Sequence, residues 1–179
     1  MAFIELLRET DDEPNFGAAF AHRPEIYRAW QRLNAAIKES MDLRRYELAT
    51  LAAARRVRSS YCMLAHGGVL ARDFYSPDDV RKIAVDHRSA GLEPVDVAVM
   101  DLAEKVAADA TSVTEADVDR LRELGLSDDE IVSVVAAAAA RCFFSNALDA
   151  LGVQADASYS SVEPALREAL VVGRPIAAP

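Results

Sequence analysis

Cysteine is scarce in this chain. Two, Cys62 and Cys142, in 179 residues are too few for a disulfide scaffold, so a reducing compartment is expected. Glycine and proline are sparse too, at 7 each, and aromatic residues make up 7%. There is no excess of positive charge. A net charge of −9 and a pI near 4.8 argue against a nucleic-acid partner, which needs a basic face; they give solubility instead. The first residues, Met1 to Glu13, lack the basic start and apolar run of a signal peptide. No run reaches the roughly eighteen uncharged apolar residues of a membrane span; the longest, Ile131 to Ala140, reads as a buried helix. No internal repeat or phosphate loop is present. A cytoplasmic protein with no membrane partner is expected.

What is abundant is Ala, Val and Leu: hydrophobic residues are 51% of the chain, and with so little glycine and proline this reads as mostly helical. The length suits one domain, with or without arms, and a real core. Residues 1–22 read as an N-terminal arm with an acidic loop at Asp11 to Pro14. A helical domain covers 23–160, and 161–179 form a short C-terminal helix and tail. Pro24 opens an amphipathic helix on Ile26, Trp30, Leu33 and Ile37; Trp30 is assigned to core packing. Further helices run from Leu43 to about Arg58, from Ser60 onward, from Ser76-Pro77 to near Gly91, and from Pro94 on a stripe of Val95, Val99, Leu102 and Val106. The last ones start at Thr114 and at the capping box Ser127 to Glu130, with Gly125 and Gly152 as stops and a short segment near Pro164. His87, among charges, is placed at the surface. The helix after Ser127 is apolar nearly all round and belongs at the centre or at a subunit interface.

The chemistry concentrates between Glu47 and His66. Cys62 and His66 are four residues apart, so on a helix they share a face. An imidazole there can take the thiol proton and leave a thiolate, the reactive form. Arg55, Arg56 and Arg58 precede Cys62, and Ser59-Ser60 can cap a new helix; cations and a helix N-terminus both favour the anion. Glu47 stands on an otherwise apolar stripe with Leu43, Leu51 and Ala54, where a carboxylate must find a partner, Arg44 or Arg58 among the candidates, or carry a raised pKa. Gly67-Gly68 follows His66; two glycines inside a helix weaken it by about 1 kcal/mol each relative to Ala, which points to close approach of another helix or room beside the thiol, unless the helix kinks or ends there.

This stretch resembles the alkylhydroperoxidase AhpD-like, or carboxymuconolactone decarboxylase-like, family. Its peroxidase branch carries a Glu, a Cys twelve residues on, and then Cys-x-x-Cys-x-x-x-His. Glu47, position 59, Cys62 and His66 match that register without a gap, and Asn146 to Val153 resembles the C-terminal helix of peroxidase-related members. The resemblance is firmest over Leu43 to Gly91 and extends on helix order to about Tyr159. It implies an all-α, AhpD-like bundle of seven to eight helices and a homo-oligomer. It also implies Cys62 as nucleophile toward a hydroperoxide, His66 as base, Glu47 as the group feeding a proton relay, and Ser59 and Tyr61 as site-lining residues, with no cofactor and no metal.

Ser59 departs from the family, whose first cysteine there closes a disulfide. A hydroxyl cannot. What remains is a one-cysteine cycle, in which Cys62 goes to sulfenic acid and an external thiol or dithiol reduces it. Two other readings stay open: a lactone-acid decarboxylase using an acid/base pair and an anion-binding group, and an inactive assembly protein. Cys142 is read as an inert buried thiol. A zinc site would need Cys142, His87, His22 or carboxylates to join Cys62 and His66, and no second motif has ligand spacing.

Overall fold

Prolines and short polar side chains start most of the helices. Pro24, Pro77, Pro94 and Pro164 are each a first helical residue, where the missing N–H costs nothing. Asp42, Ser76 and Ser127 accept from backbone N–H groups in the first turn that follows, at Arg45, Asp79 and Glu130. Thr114 with Asp117, and Ser127 with Glu130, close capping boxes. Gly91, Gly125 and Gly152 follow helix ends at φ of 78°, 94° and 72°, a region glycine enters without strain.

The computed structural model of the chain describes residues 2–10 and 12–178; Met1, Asp11 of the acidic loop and Pro179 of the tail lie outside them. Among the described residues there are nine α-helices and no strand: α1 Asn15–Phe20, α2 Pro24–Glu39, α3 Leu43–Arg56, α4 Ser60–Asp73, α5 Pro77–Asp86, α6 Pro94–Asp109, α7 Glu115–Glu123, α8 Asp128–Ala150 and α9 Pro164–Leu170. The all-α expectation holds, with one more short helix, α1, inside the segment read as an arm.

Helix α3 is the axis. Its nine residues from Tyr46 to Ala54 are all buried, and it packs against α4, α6 and α8. Alanines at 49 and 52–54 let those neighbours approach closely. Buried Asp96 pins the start of α6 to α3 through Arg44 at 2.5 Å and Arg45 at 3.3 Å. Helix α8 is long and apolar enough to cross a membrane by length and composition, a property the sequence reading did not assign. More than half of its most apolar stretch is buried here, as a helix of the bundle interior. Helix α2 lies at the periphery: of its 16 residues only Ile37 is fully buried, while Tyr27 and Trp30 stack on Phe20 and Phe144.

Helix α4 continues through both glycines. A Cβ at Gly67 would lie 2.7 Å from Leu170 of α9, whereas one at Gly68 would meet open space. Close approach of another helix therefore accounts for Gly67 alone. Downstream of α9 the tail crosses the α3–α4 turn. Arg58 Nε donates to Val172 O at 3.1 Å and Gly173 N donates to Ser60 Oγ at 2.8 Å. Arg58 adopts φ of 60°, and a Cβ on Gly173 would sit 1.9 Å from its carbonyl oxygen.

His87 is not at the surface. It is fully buried in a short 3-10 turn, with Nε2 2.9 Å from Asp101 Oδ1. The charges beside it in sequence turn outward while the ring turns under, because one residue in a turn can face inward between exposed neighbours.

Candidate active site

Helices α2, α3, α4 and α8 converge on one buried polar cluster. Glu47, on α3, is 1% exposed. Its Oε2 lies 2.5 Å from His66 Nδ1 and its Oε1 3.5 Å from Lys38 Nζ of α2. Arg44 and Arg58, the partners considered from sequence, are elsewhere: Arg44 on Asp96 and Tyr75, Arg58 on the tail. Cys62, in the first turn of α4, is 2% exposed. Arg141 Nη1 of α8 donates to its sulfur at 3.6 Å, and Arg141 Nη2 to Tyr46 Oη at 3.3 Å. Tyr46 in turn donates to Asn34 Oδ1 of α2 at 2.6 Å, and its ring stands edge-on to His66 at 6.1 Å.

The charges follow from this packing. Burial alone would push the Glu47 carboxyl up; the hydrogen bond and charge of His66, then Lys38, outweigh it and hold the pKa below the ordinary carboxylate range. Burial, and then the positive charge of Arg141, pull His66 down to about 4, against the opposing pull of Glu47. The ring is therefore neutral at pH 7. With a carboxylate on Nδ1, its proton sits there and Nε2 is left as an acceptor. Among the described residues Arg141 has no carboxylate partner. It is 4% exposed, its Nε is buried without a hydrogen bond, and its guanidinium lies 5.8 Å and 5.6 Å from the rings of Trp30 and Phe144.

The structure thus joins Glu47 to His66 and sets a cation against Cys62, but it is not the cation expected. Arg55 pairs with Glu104 and Arg58 holds the tail. No hydrogen bond links Cys62 to His66 among the described residues. Ser59 is fully buried at the α4 N-cap position and makes no capping bond, and its hydroxyl has no partner at full hydrogen-bond geometry. It faces Asp149, whose carboxyl is pushed up by burial. Tyr61 points the other way: its hydroxyl donates to Asp156, and its ring meets Phe16 at 5.8 Å and Tyr159 at 6.1 Å. Cys142 is half-buried and free, its thiol pKa raised by burial.

Arg141, Tyr46, Asn34 and Lys38 were missed from sequence. Arg141 carried a signal, as a lone charge between an alanine run and two phenylalanines; Lys38 and Asn34 carried none. As for metals, His87, Asp101 and Glu104 can bring ligand atoms together, but Arg88 and Arg55 already pair with these acids. His22 is tied to Glu5 O at 2.8 Å.

No protein-family model matches the chain, and no curated protein matches it in sequence. Solved structures do match. An AhpD-core, peroxidase-related protein from Ralstonia eutropha JMP134 is 26% identical, with a TM-score of 0.76 over 82% of this chain and 78% of that one. A peroxidase-related protein from Silicibacter sp. TM1040 is 20% identical, with a TM-score of 0.76 over 83% and 79%. The debrominase Bmp8, solved as a cysteine-to-alanine variant with 2,3,4-tribromopyrrole, is 15% identical, with a TM-score of 0.74 over 87% and 82%. The fold therefore serves more than one activity.

Proposed function

Taking the chain as a member of the AhpD-like family, we propose that it reduces hydroperoxides through Cys62 in a one-cysteine cycle. The observation that carries this reading is the pairing of two half-sites: a guanidinium on the Cys62 sulfur and a carboxylate-oriented, neutral imidazole one turn along the same helix. Arg141 compensates the negative charge of the thiolate. His66 Nε2, held by Glu47, accepts the thiol proton, directly or through one water, as the substrate enters. The thiolate then attacks the terminal peroxide oxygen, the O–O bond breaks, and the proton passes from His66 to the leaving alkoxide. The sum is thiol plus hydroperoxide to sulfenic acid plus alcohol.

Ser59 supplies no second sulfur, so an external thiol or dithiol closes the cycle. The first thiol displaces water to give a mixed disulfide, and the second releases Cys62. The protein works in the cytoplasm, and as a homo-oligomer. The exposed apolar side of α2, with Ile26, Ala29 and Leu33 beside Phe143 of α8, lines an open groove of about 410 Å³ and supports a contact between copies. The AhpD-like name of the Ralstonia protein supports the peroxidase class.

A second reading draws on Arg141 as an anion holder: a lactone-acid lyase using Glu47 and His66 as its acid/base pair. One experiment separates them. Intact mass is measured after a stoichiometric dose of hydrogen peroxide, with and without dimedone, on the native protein and on Cys62→Ser. A dimedone adduct lost in the variant supports the peroxidase. No adduct, together with full turnover of a lactone acid by Cys62→Ser, supports the lyase.

A further inference from the structure

The charges of the buried cluster balance only while an anion rests beside Arg141. Glu47 is matched by Lys38 at 3.5 Å. His66 is neutral at pH 7, and Tyr46, its pKa raised by burial, is neutral too. Arg141 has no ion pair among the described residues, and its remaining polar contacts are Cys62 Sγ and Tyr46 Oη. A buried guanidinium without a counter-charge is strongly disfavoured. The group placed to supply that counter-charge is Cys62, whose sulfur accepts from Arg141 Nη1 at 3.6 Å, once the proposed cycle has turned it into a thiolate.

Oxidation removes it. A sulfenic acid is neutral, and Arg141 would then face an uncharged group. Two products restore the balance: the deprotonated sulfenate, and beyond it the sulfinate. The sulfinate is a permanent anion at pH 7 and brings two oxygen acceptors. Donors are waiting for them. Of the five N–H groups of a guanidinium, one points at sulfur and one at Tyr46, while the Nε donor is buried and unpartnered. Position 59, a serine, supplies no second sulfur for the sulfenate, and Cys62 and Cys142 are both free, with no disulfide between them.

We infer that Cys62 is a site of over-oxidation, driven by Arg141 from sulfenate to a stable sulfinate by a second equivalent of the same hydroperoxide, so that excess oxidant switches the protein off. The step is balanced. A sulfur lone pair of the sulfenate attacks the terminal peroxide oxygen, an S–O bond forms and the O–O bond breaks. Sulfur loses two electrons, and the alkoxide leaves with the proton of that oxygen as the alcohol. The inference rests on the proposed peroxidase reading.

The test is a hydrogen peroxide titration of the intact protein without added thiol, followed by mass spectrometry of the peptide carrying Cys62, with fragmentation to separate it from the adjacent Met63. Native protein is expected to pass through a dimedone-trappable gain of one oxygen to a dimedone-resistant gain of two. The readout is the ratio of the second oxidation rate to the first, which a slower first step alone does not move. Arg141→Met is expected to lower that ratio by roughly tenfold or more, the loss of one charge-assisted hydrogen bond to a buried anion. Arg141→Lys, which keeps the charge, is expected to restore part of it, and circular dichroism on both variants confirms that they fold. Native Cys62 that stops at one oxygen in excess peroxide overturns the inference and leaves the peroxidase reading standing. So does an unchanged ratio in a folded Arg141→Met. A Cys62 that takes no oxygen at any dose overturns both.

Discussion

His66 Nδ1 lies 2.5 Å from Glu47 Oε2 across the α3–α4 packing interface, and that bond decides which imidazole nitrogen is free. Replacing Glu47 by Gln keeps the shape and removes the charge that fixes the tautomer. The rate of peroxide consumption is expected to fall by about a hundredfold, the lower range for a positioned acid–base group. Stopped-flow measurement of the Cys62 oxidation rate is the check, and a variant within about threefold of native would remove the relay.

The pH dependence follows from His66. Its folded pKa is pulled from 6.5 down to about 4, so the folded state favours the neutral ring. That stability is fully present above pH 6.5 and is lost as pH falls through about 4. It amounts to on the order of 3 kcal/mol. Urea melts between pH 7 and 4 are expected to be less steeply pH-dependent for His66→Gln than for native protein. The base stays competent below pH 6, so the acid limb of the oxidation rate should fall near pH 4 rather than 6.5. A limb centred at 6.5 would contradict the buried, Arg141-facing ring.

Ser59→Cys tests the position that departs from the family register. With a thiol at the start of α4, one equivalent of peroxide is expected to give a disulfide between the introduced sulfur and Cys62, seen as the loss of two hydrogens in place of a dimedone adduct. Turnover with a dithiol reductant is then expected to exceed that of native protein. If the adduct persists and no disulfide forms, the side chain at 59 stays turned toward Asp149.

Leu33 and Phe143 are 53% and 48% exposed on adjoining helices. If the apolar side of α2 and α8 is the contact between copies, the Leu33→Glu, Phe143→Glu double variant is expected to elute as monomer, and native protein as a multimer, by light scattering after gel filtration. A native monomer at micromolar concentration rules this contact out.

Gly173→Ala is expected to dislodge the tail, because the new Cβ would meet the Arg58 carbonyl at 1.9 Å. A cost of about 2 kcal/mol corresponds to a Tm lowered by about 4–8 °C. Amide exchange should accelerate at Ala177, whose N–H donates to Ala155 O at 2.8 Å. A melting curve identical to native would show that the tail accommodates the methyl group by shifting.

Much of this was legible in advance because local rules and the fold agree. Proline and capping residues gave the starts of α2, α5, α6, α7 and α8, and the glycines gave stops. Glu47 betrayed itself as a carboxylate on an apolar stripe. Arg141 was the same anomaly on α8, but its meaning depends on which helix faces it, and that is not a local property. The arginines before Cys62 misled for a physical reason. Arg58 takes a left-handed conformation at the α3–α4 break, so sequence neighbours on one side do not share a face with the first turn on the other. Lys38 and Asn34 lie on a helix that reads simply as amphipathic, and nothing in their spacing marks a site in the helix that follows.

Helix α2 contributes Lys38 to Glu47 and Asn34 to Tyr46, and holds to the bundle through buried Ile37 and the rings of Tyr27 and Trp30 stacked on Phe20 and Phe144. Its outer side leaves Ile26 and Leu33 exposed, so less apolar burial opposes local opening here than for the fully packed α3. Each such excursion takes a cation from the carboxylate and an acceptor from the phenol at once. The readiness of the buried sulfur is then tied to the breathing of a peripheral helix, and whatever clamps that helix also tunes the chemistry.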